Sequence, residues 1–285
     1  MIIAVLGPTA SHKSDLAENL ANYFNAEVIN FDAYQVYKEL NKGTAKPSKE
    51  FLNSHNNYHL YDFCSIKKPY DVFNFQKDGR DLINKFLNRN VILVGGTGFY
   101  LKALLYDFNF LDEEKMPDDY LINISNDELY ERLLKIDPID AIKITKNNRK
   151  RLIRALYIYE IHKKSKTELN NDGKNKLLYD DVKFIGINPP RELLYENISK
   201  RVDLMINDGL IDEINEIKKE FKVPNQALQA IGYKEFYLNL PIEETIELIK
   251  KNTRHYAKRQ LTYFKHQFDN VKWYSDSEEA FNGTI

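Results

Sequence analysis

The chain opens with five consecutive apolar residues, Ile2 to Leu6, that stop at Gly7-Pro8. A run with no polar alternation predicts a strand buried on both faces. Lys13 to Phe24 follows with Leu16, Leu20 and Phe24 at helical spacing, and Val28 to Phe31 is a second short strand. A helical pattern through Phe75, Leu82, Ile83 and Phe86 then leads to a third run, Val91 to Val94, closed by Gly95-Gly96. Apolar strands separated by helices predict an α/β fold whose parallel sheet is covered on both faces.

From about Leu111 the pattern changes to helices with polar connections. A charged stretch spans Asp112 to Asp119, helices are expected at Asp127 to Leu134 and Arg149 to His162, and Asn170 to Lys176 reads as a mobile connection. Strand character returns at Val182 to Ile187, followed by Pro189-Pro190, expected in the first turn of a helix where a missing amide donor does no harm. A long amphipathic helix runs from Ile242 to about Phe268, and a last strand covers Val271 to Tyr274. The strand after residue 181 should rejoin the first sheet. The expected organisation is therefore a discontinuous core, residues 1–110 and 181–285, with a helical insertion domain at 111–180.

Composition narrows this picture. One cysteine, Cys64, allows no intrachain disulfide and suits a reducing compartment. The N-terminus carries no basic leader or cleavage site, and no apolar stretch approaches the roughly 20 residues that cross a bilayer. A cytoplasmic protein without membrane association is expected. The net charge of −1, from 41 Lys and Arg against 42 Asp and Glu, points by itself to no partner.

Local sequence is more informative. Gly7, Pro8, Thr9, Ala10, Ser11, His12, Lys13 and Ser14 lie between a strand and a helix. A phosphate-binding loop needs small residues whose amides can turn to the anion, a helix N-terminus behind them, a lysine for phosphate oxygens and a hydroxyl for Mg²⁺. His12 stands where the general pattern has glycine; it either crowds the loop, demands a positive φ, or adds a donor toward phosphate. An ordinary strand-to-helix turn is the alternative reading. Asp32, at the end of the second strand, belongs near that loop in an open parallel sheet, where it can hold a metal or act as a general base. Gly95, Gly96, Thr97 and Gly98 end the third strand; Thr97 either caps the next helix or bonds a ligand. Many NTP-driven phosphoryl transferases place a magnesium-binding Asp there, so glycines at this point speak against a small-molecule kinase.

Two segments concentrate positive charge. Eight basic residues between Lys146 and Lys166 are offset only by Glu160, and the apolar stripe Leu152, Ala155, Leu156 and Tyr159 leaves Lys150, Arg151 and Arg154 on other faces. The second is Lys250 to Lys265. Both fit either a solvated helix face or contacts to nucleic-acid phosphates. Between them Gln229-Ala-Ile-Gly232-Tyr233-Lys234 offers a tyrosine for packing or for stacking on an unpaired base.

Taken in order, Gly7 to Ser14, Asp32 to Tyr37, Gly43 to Pro47, Val94 to Leu101, Asn147 to Leu156, Arg201 to Met205, Gln229 to Lys234 and Thr253 to Tyr263 resemble the bacterial tRNA dimethylallyltransferase family nearly end to end. The resemblance implies a P-loop core with a helical tRNA-binding insertion, acting as a monomer. It implies transfer of a dimethylallyl group from dimethylallyl diphosphate to N6 of the adenosine 3′ to the anticodon. Residues 7–14 would hold the diphosphate, with Mg²⁺ at Ser14. Asp32 would be the base, Thr97 would position substrate, and Arg201 would stabilise the leaving pyrophosphate. The tRNA anticodon stem-loop would meet Asp32, Ala33, Tyr34 and Gln35; Lys150, Arg151, Leu152, Ile153 and Arg154; and Gln229, Ala230, Ile231, Gly232, Tyr233 and Lys234. Against the family pattern, His12 replaces Gly, Ala33 replaces Ser, and the region Leu111 to Pro138 is shorter. A non-catalytic RNA-binding relative is the competing expectation.

Overall fold

A computed structural model describes residues 1–107, 110, 116–117, 119–171 and 176–285. The expectations for the charged stretch after residue 111 and for the linker before residue 176 fall largely outside the described residues. Two compact units emerge: Met1–Leu105 with Tyr179–Ile285, and Tyr106–Leu178. Their boundaries lie a few residues from the expected 111 and 180.

The first unit is built on a six-stranded, all-parallel sheet among the described residues. Its strands are β1 (Ile2–Leu6), β2 (Glu27–Asn30), β3 (Tyr58–His59), β4 (Val91–Val94), β5 (Val182–Ile187) and β6 (Lys272–Tyr274), in the order β3-β2-β4-β1-β5-β6. Strand β1 pairs with β4 in the register Ile2 to Val91 and with β5 in the register Ile2 to Val182, so the strand after the insertion does rejoin the first sheet. In chain order the helices are α1 (Lys13–Phe24), α2 (Lys49–Ser54), α3 (Val72–Lys85), α4 (Gly98–Leu105), α5 (Asn126–Ile136), α6 (Pro138–Lys143), α7 (Arg149–His162), α8 (Lys166–Asn171), α9 (Arg191–Asn207), α10 (Leu210–Glu220), α11 (Ile242–Gln267) and α12 (Ser277–Asn282).

Helix α1 returns over the sheet and buries Leu16, Ala17, Leu20 and Ala21 against Ile3, Val5, Val28, Ile92, Val94 and Ile185. Each fully buried leucine contributes about 2 kcal/mol of burial. Strand β2 starts one residue earlier than its apolar pattern because Glu27, although charged, is buried and paired: His59 Nε2 lies 2.7 Å from Oε2, and Arg89 meets Oε1. Pro190 is the N-cap of α9, just outside the expected first turn, since its ψ of 140° keeps it extended. The short elements β3, α2, α6, α8 and α12 carry too few buried positions to show a period; α12 buries only Ala280.

The second unit packs α5, α6 and α7 around Leu129, Leu133, Ala141, Ile144, Leu152 and Leu156. Asp137 caps α6 through the Asp140 amide and also accepts from the Thr167 amide and hydroxyl. Among the described residues no helix is long and apolar enough to cross a membrane.

Gly95 joins β4 to the loop beyond it, and a Cβ there would lie 2.6 Å from the Phe31 carbonyl carbon and 2.7 Å from the Asp32 nitrogen. Backbone cannot yield as a side chain can. Gly95→Ala should therefore destabilise the protein by about 2 kcal/mol or more in urea unfolding. A loss under about 0.5 kcal/mol would show that the two loops separate freely.

Candidate active site

The loop after β1 is held from three sides. The Thr9 amide donates to Gln260 Oε1 of α11 at 2.8 Å, Asn197 Nδ2 of α9 donates to the Ala10 carbonyl at 3.4 Å, and Gly7 lies so close to β5 that a Cβ would stand 3.1 Å from the Ile187 carbonyl oxygen. Two non-glycine residues, Ala10 and His12, adopt φ of 62°. His12 is the N-cap of α1 without a side-chain cap bond, so the first amides of the helix, which lack intrahelical partners, remain available to an anion. Its ring points outward, with Nδ1 2.9 Å from Asp15 Oδ2. Of the three expectations for His12, the positive φ is what the structure has; the ring neither crowds the loop nor turns into the cavity.

Asp32 is set by a turn of its own making. Its Oδ1 accepts from the Tyr34 amide at 2.9 Å and from the Gln35 amide at 3.4 Å, while its own amide donates to buried Asn30 Oδ1 at 2.9 Å. Its Oδ2 faces Gly96, where a Cβ would stand 2.7 Å away. The Thr97 hydroxyl accepts from the Ala33 amide at 3.0 Å and so holds this turn. The readings of Thr97 as a helix cap or a ligand contact do not include this bond. Tyr256 and Gln260, both on α11, donate to the Gly96 carbonyl at 3.1 and 2.8 Å.

These loops surround one cavity of about 280 Å³ at the carboxyl ends of β1, β2 and β4, lined by Thr9, Lys13, Ser14, Asp32, Gln35, Gly96 and Arg201 among others. Burial brings the Lys13 ammonium down to about 8, the Arg201 charge adds to this, and Asp32 opposes both. Burial likewise lowers the Arg201 guanidinium, with Asp32 and Asp15 opposing. Two cations brought together in a low-dielectric cleft favour an incoming polyanion. Val202 and Met205 of α9, Ile231, and Ile249 of α11 give the cavity an apolar part of its lining. A lining that combines two cations, apolar side chains and a carboxylate suits a substrate that is part anion and part hydrocarbon.

Comparison with known proteins points the same way. Residues 35–267 match the model of the family described as IPP transferase. The chain belongs to that family. The tRNA dimethylallyltransferase of Anoxybacillus flavithermus is 41% identical over 98% of this chain and 91% of its own. The full-length tRNA isopentenylpyrophosphate transferase of Bacillus halodurans is 36% identical, with a TM-score of 0.71, covering 97% of this chain and 89% of that one. A eukaryotic dimethylallyltransferase acting on tRNA is 31% identical with a TM-score of 0.81, over 92% of this chain and 69% of its own.

The sequence-based assignments divide once they are placed on the transferase. Lys13, Ser14, Asp32, Tyr34, Gln35, Arg201, Gln229, Ala230, Ile231, Gly232 and Lys234 all line the cavity. Tyr233 does not stack on anything external: it is fully buried, its hydroxyl donating to Glu213 Oε1 at 2.6 Å and accepting from the Gly43 amide at 3.1 Å. Leu152 is likewise fully buried, in the core of the second unit. The positive run around α7 is partly consumed internally. Arg149 donates to the carbonyls of Leu121, Ile122 and Ile124, Lys146 pairs with Asp127, and Lys166 pairs with Asp140. Lys150, Arg151 and Arg154 are exposed and Ile153 is half-buried. Thr253 to Tyr263 entered the sequence reading only as part of the resemblance, without a role for the polar stripe Thr253, Tyr256 and Gln260, whose spacing of three and four residues marks one helix face.

Two outcomes follow from the loop. Because a left-handed residue other than glycine costs about 1–2 kcal/mol and glycine gives back part of this in chain entropy, His12→Gly should raise stability by about 1 kcal/mol or less. Affinity for pyrophosphate should stay within about twofold in calorimetric titration; a tenfold loss would place the ring in the binding contact. Because burial brings the Lys13 ammonium down to about 8 and a bound polyanion favours its charged form, pyrophosphate binding in EDTA at pH 8.5–9 should take up protons at Lys13. Affinity should fall as pH rises further, since the ammonium form becomes scarcer. Titrations in buffers of different ionisation heat measure the uptake, which Lys13→Met should abolish.

Proposed function

We propose that this protein transfers the dimethylallyl group of dimethylallyl diphosphate to the exocyclic N6 of the adenosine 3′-adjacent to the anticodon of tRNA, releasing pyrophosphate. The carrying observation is that Asp32, with one carboxylate oxygen occupied by the Tyr34 and Gln35 amides and the other at the cavity, shares that cavity with Lys13 and Arg201. The N6 lone pair forms a bond to C1 of the donor as the C1–O bond breaks. The electron pair of that bond leaves on the diphosphate, and the N6 proton passes to Asp32 Oδ2. Positive charge developing on the allyl group and negative charge on the leaving oxygen both need fixed counter-charges, which are worth most where water is excluded. Residues 7–14 and Arg201 serve the leaving group, and Thr97 serves the base by holding its turn.

Among the described residues no three His, Cys, Asp or Glu side chains cluster as a metal site. Mg²⁺ does not need such a cluster, since it binds through phosphate oxygens, water and one or two protein oxygens. The Ser14 hydroxyl, exposed and lining the cavity, is of the right kind to hold it. Bound there, the ion would neutralise charge on the leaving diphosphate. The target adenine must leave its stack to reach the cavity, which is easiest in a single-stranded anticodon loop. Exposed Lys150, Arg151 and Arg154 on the second unit supply phosphate contacts.

The decisive assay mixes the protein with dimethylallyl diphosphate, Mg²⁺ and unmodified tRNA bearing consecutive adenosines at that site, and looks for prenylated adenosine by mass spectrometry. Saturating conditions without product would end this reading. Asp32→Asn should lower turnover by about 10³-fold while tRNA affinity stays within about threefold. An equal loss of both would remove Asp32 from the base role.

A further inference from the structure

One side chain of the cavity, Tyr61, belongs neither to the loop after β1 nor to the Asp32 turn. It stands two residues beyond β3, the edge strand beside β2. Its neighbours Leu60 and Asp62 both adopt left-handed backbone, with φ of 61° and 54°, a conformation unfavourable for residues other than glycine. Their anchors account for it. The Leu60 carbonyl accepts from Nδ2 of buried Asn30 at 2.9 Å, and Oδ1 of that same side chain accepts from the Asp32 amide. The Asp62 amide donates to the Gln35 carbonyl at 3.1 Å, and the Asp62 carboxylate pairs with Lys46. Tyr61 is therefore fixed against the Asp32 turn from both sides. Backbone strain over-determined in this way collects at ligand sites.

The Tyr61 hydroxyl makes no hydrogen bond among the described residues, whereas Tyr256, also at the cavity, donates its own to the Gly96 carbonyl. Burial, with Tyr58 and Asp32 adding to it, holds the Tyr61 phenol above its ordinary range, so it remains a donor. The strand order β3-β2-β4-β1 sets Tyr61 on the other side of Asp32 from Lys13. An amine that attacks C1 as the diphosphate departs approaches from the side opposite the leaving group. The base behind that amine thus lies away from Lys13 and toward Tyr61.

We propose that the Tyr61 hydroxyl donates to a ring nitrogen of the target adenine, N1 or N7, while Asp32 receives the N6 proton, and that the two contacts together select adenine. The inference rests on the substrate reading above. Adenine carries its amine between two acceptor nitrogens, so a carboxylate beside a phenol matches either edge. Guanine has an oxygen in place of that amine, which would meet Asp32 acceptor to acceptor.

The test compares kcat/KM of the wild-type protein and Tyr61→Phe on anticodon stem-loop RNA carrying adenosine, 1-deazaadenosine or 7-deazaadenosine at the target position. Phenylalanine keeps the ring and removes only the hydroxyl. With adenosine, Tyr61→Phe should lose about tenfold. With the analogue that lacks the contacted nitrogen, the two proteins should agree within about twofold, because the partner of the hydroxyl is already gone. A phenol that only supported the fold would not distinguish the analogues. No loss with adenosine, or a loss retained in full with both analogues, overturns the contact while leaving the transferase reading standing. So does the same pattern in Tyr34→Phe in place of Tyr61→Phe. A wild-type protein that transfers no dimethylallyl group to the adenosine RNA overturns the transferase reading and the contact with it.

Discussion

One side-chain amide ties together the two loops on which the site depends. Gln260, buried in the last third of α11, accepts from the Thr9 amide with its oxygen and donates to the Gly96 carbonyl with its nitrogen. The first contact fixes the loop after β1, and the second fixes the loop after β4. A buried amide with both ends satisfied is rigid, because turning it over would leave a donor facing a donor and an acceptor facing an acceptor. Gly96 then sets the position of Asp32 Oδ2, and Thr97 beside it sets the turn that carries Asp32. The two loops are thus held at a fixed separation by a helix residue 251 positions from Thr9 and 164 from Gly96.

Holding charges in this way is unfavourable until substrate arrives. Lys13 and Arg201 are both shifted toward their neutral forms by burial, and Lys13 further by the guanidinium, with Asp32 the main opposing charge. A net charge of −1 conceals this, because the cations that matter are two among 41. The average is uninformative for the same reason in the second unit, where Lys146, Arg149 and Lys166 answer to local carboxylates and carbonyls while Lys150 and Arg151 remain exposed at the start of α7.

What could be read from the sequence follows from how far each signal reaches. Strands β1 and β4 are unbroken apolar runs, β5 is apolar apart from Lys183 and Gly186, and α1 and α7 have the bounds that their spacing predicts. The loop after β1 and Asp32 are legible because their signals are local: a few residues between a strand and a helix suffice. Glu27 hid the start of β2 because its partners, His59 and Arg89, come from other elements. Tyr233 shows the limit from the other side. A tyrosine after a glycine looks the same whether it faces a base or closes on Glu213, and only the fold brings Glu213 and Gly43 to its hydroxyl. Gln260 was lost within a helix whose apolar face accounts for most of its pattern.

His12 joins these two kinds of information. The glycine usual at that point is replaced, yet the backbone keeps the conformation that favours glycine, with Ala10 doing the same two residues earlier. Two such residues so close together persist only where the surroundings over-determine them. Here the surroundings are visible: Asn197 on the Ala10 carbonyl, Gln260 on the Thr9 amide, Ile187 against Gly7, and Ala10 itself packed on Leu194, Ile198 and Ala257. The loop is shaped from outside by α9, α11 and β5, and its own sequence need only be compatible. That division explains how a bulky residue enters a phosphate-type loop without closing it: the fold dictates the path of the backbone, and the exposed N-cap position gives the imidazole solvent and Asp15 to turn toward.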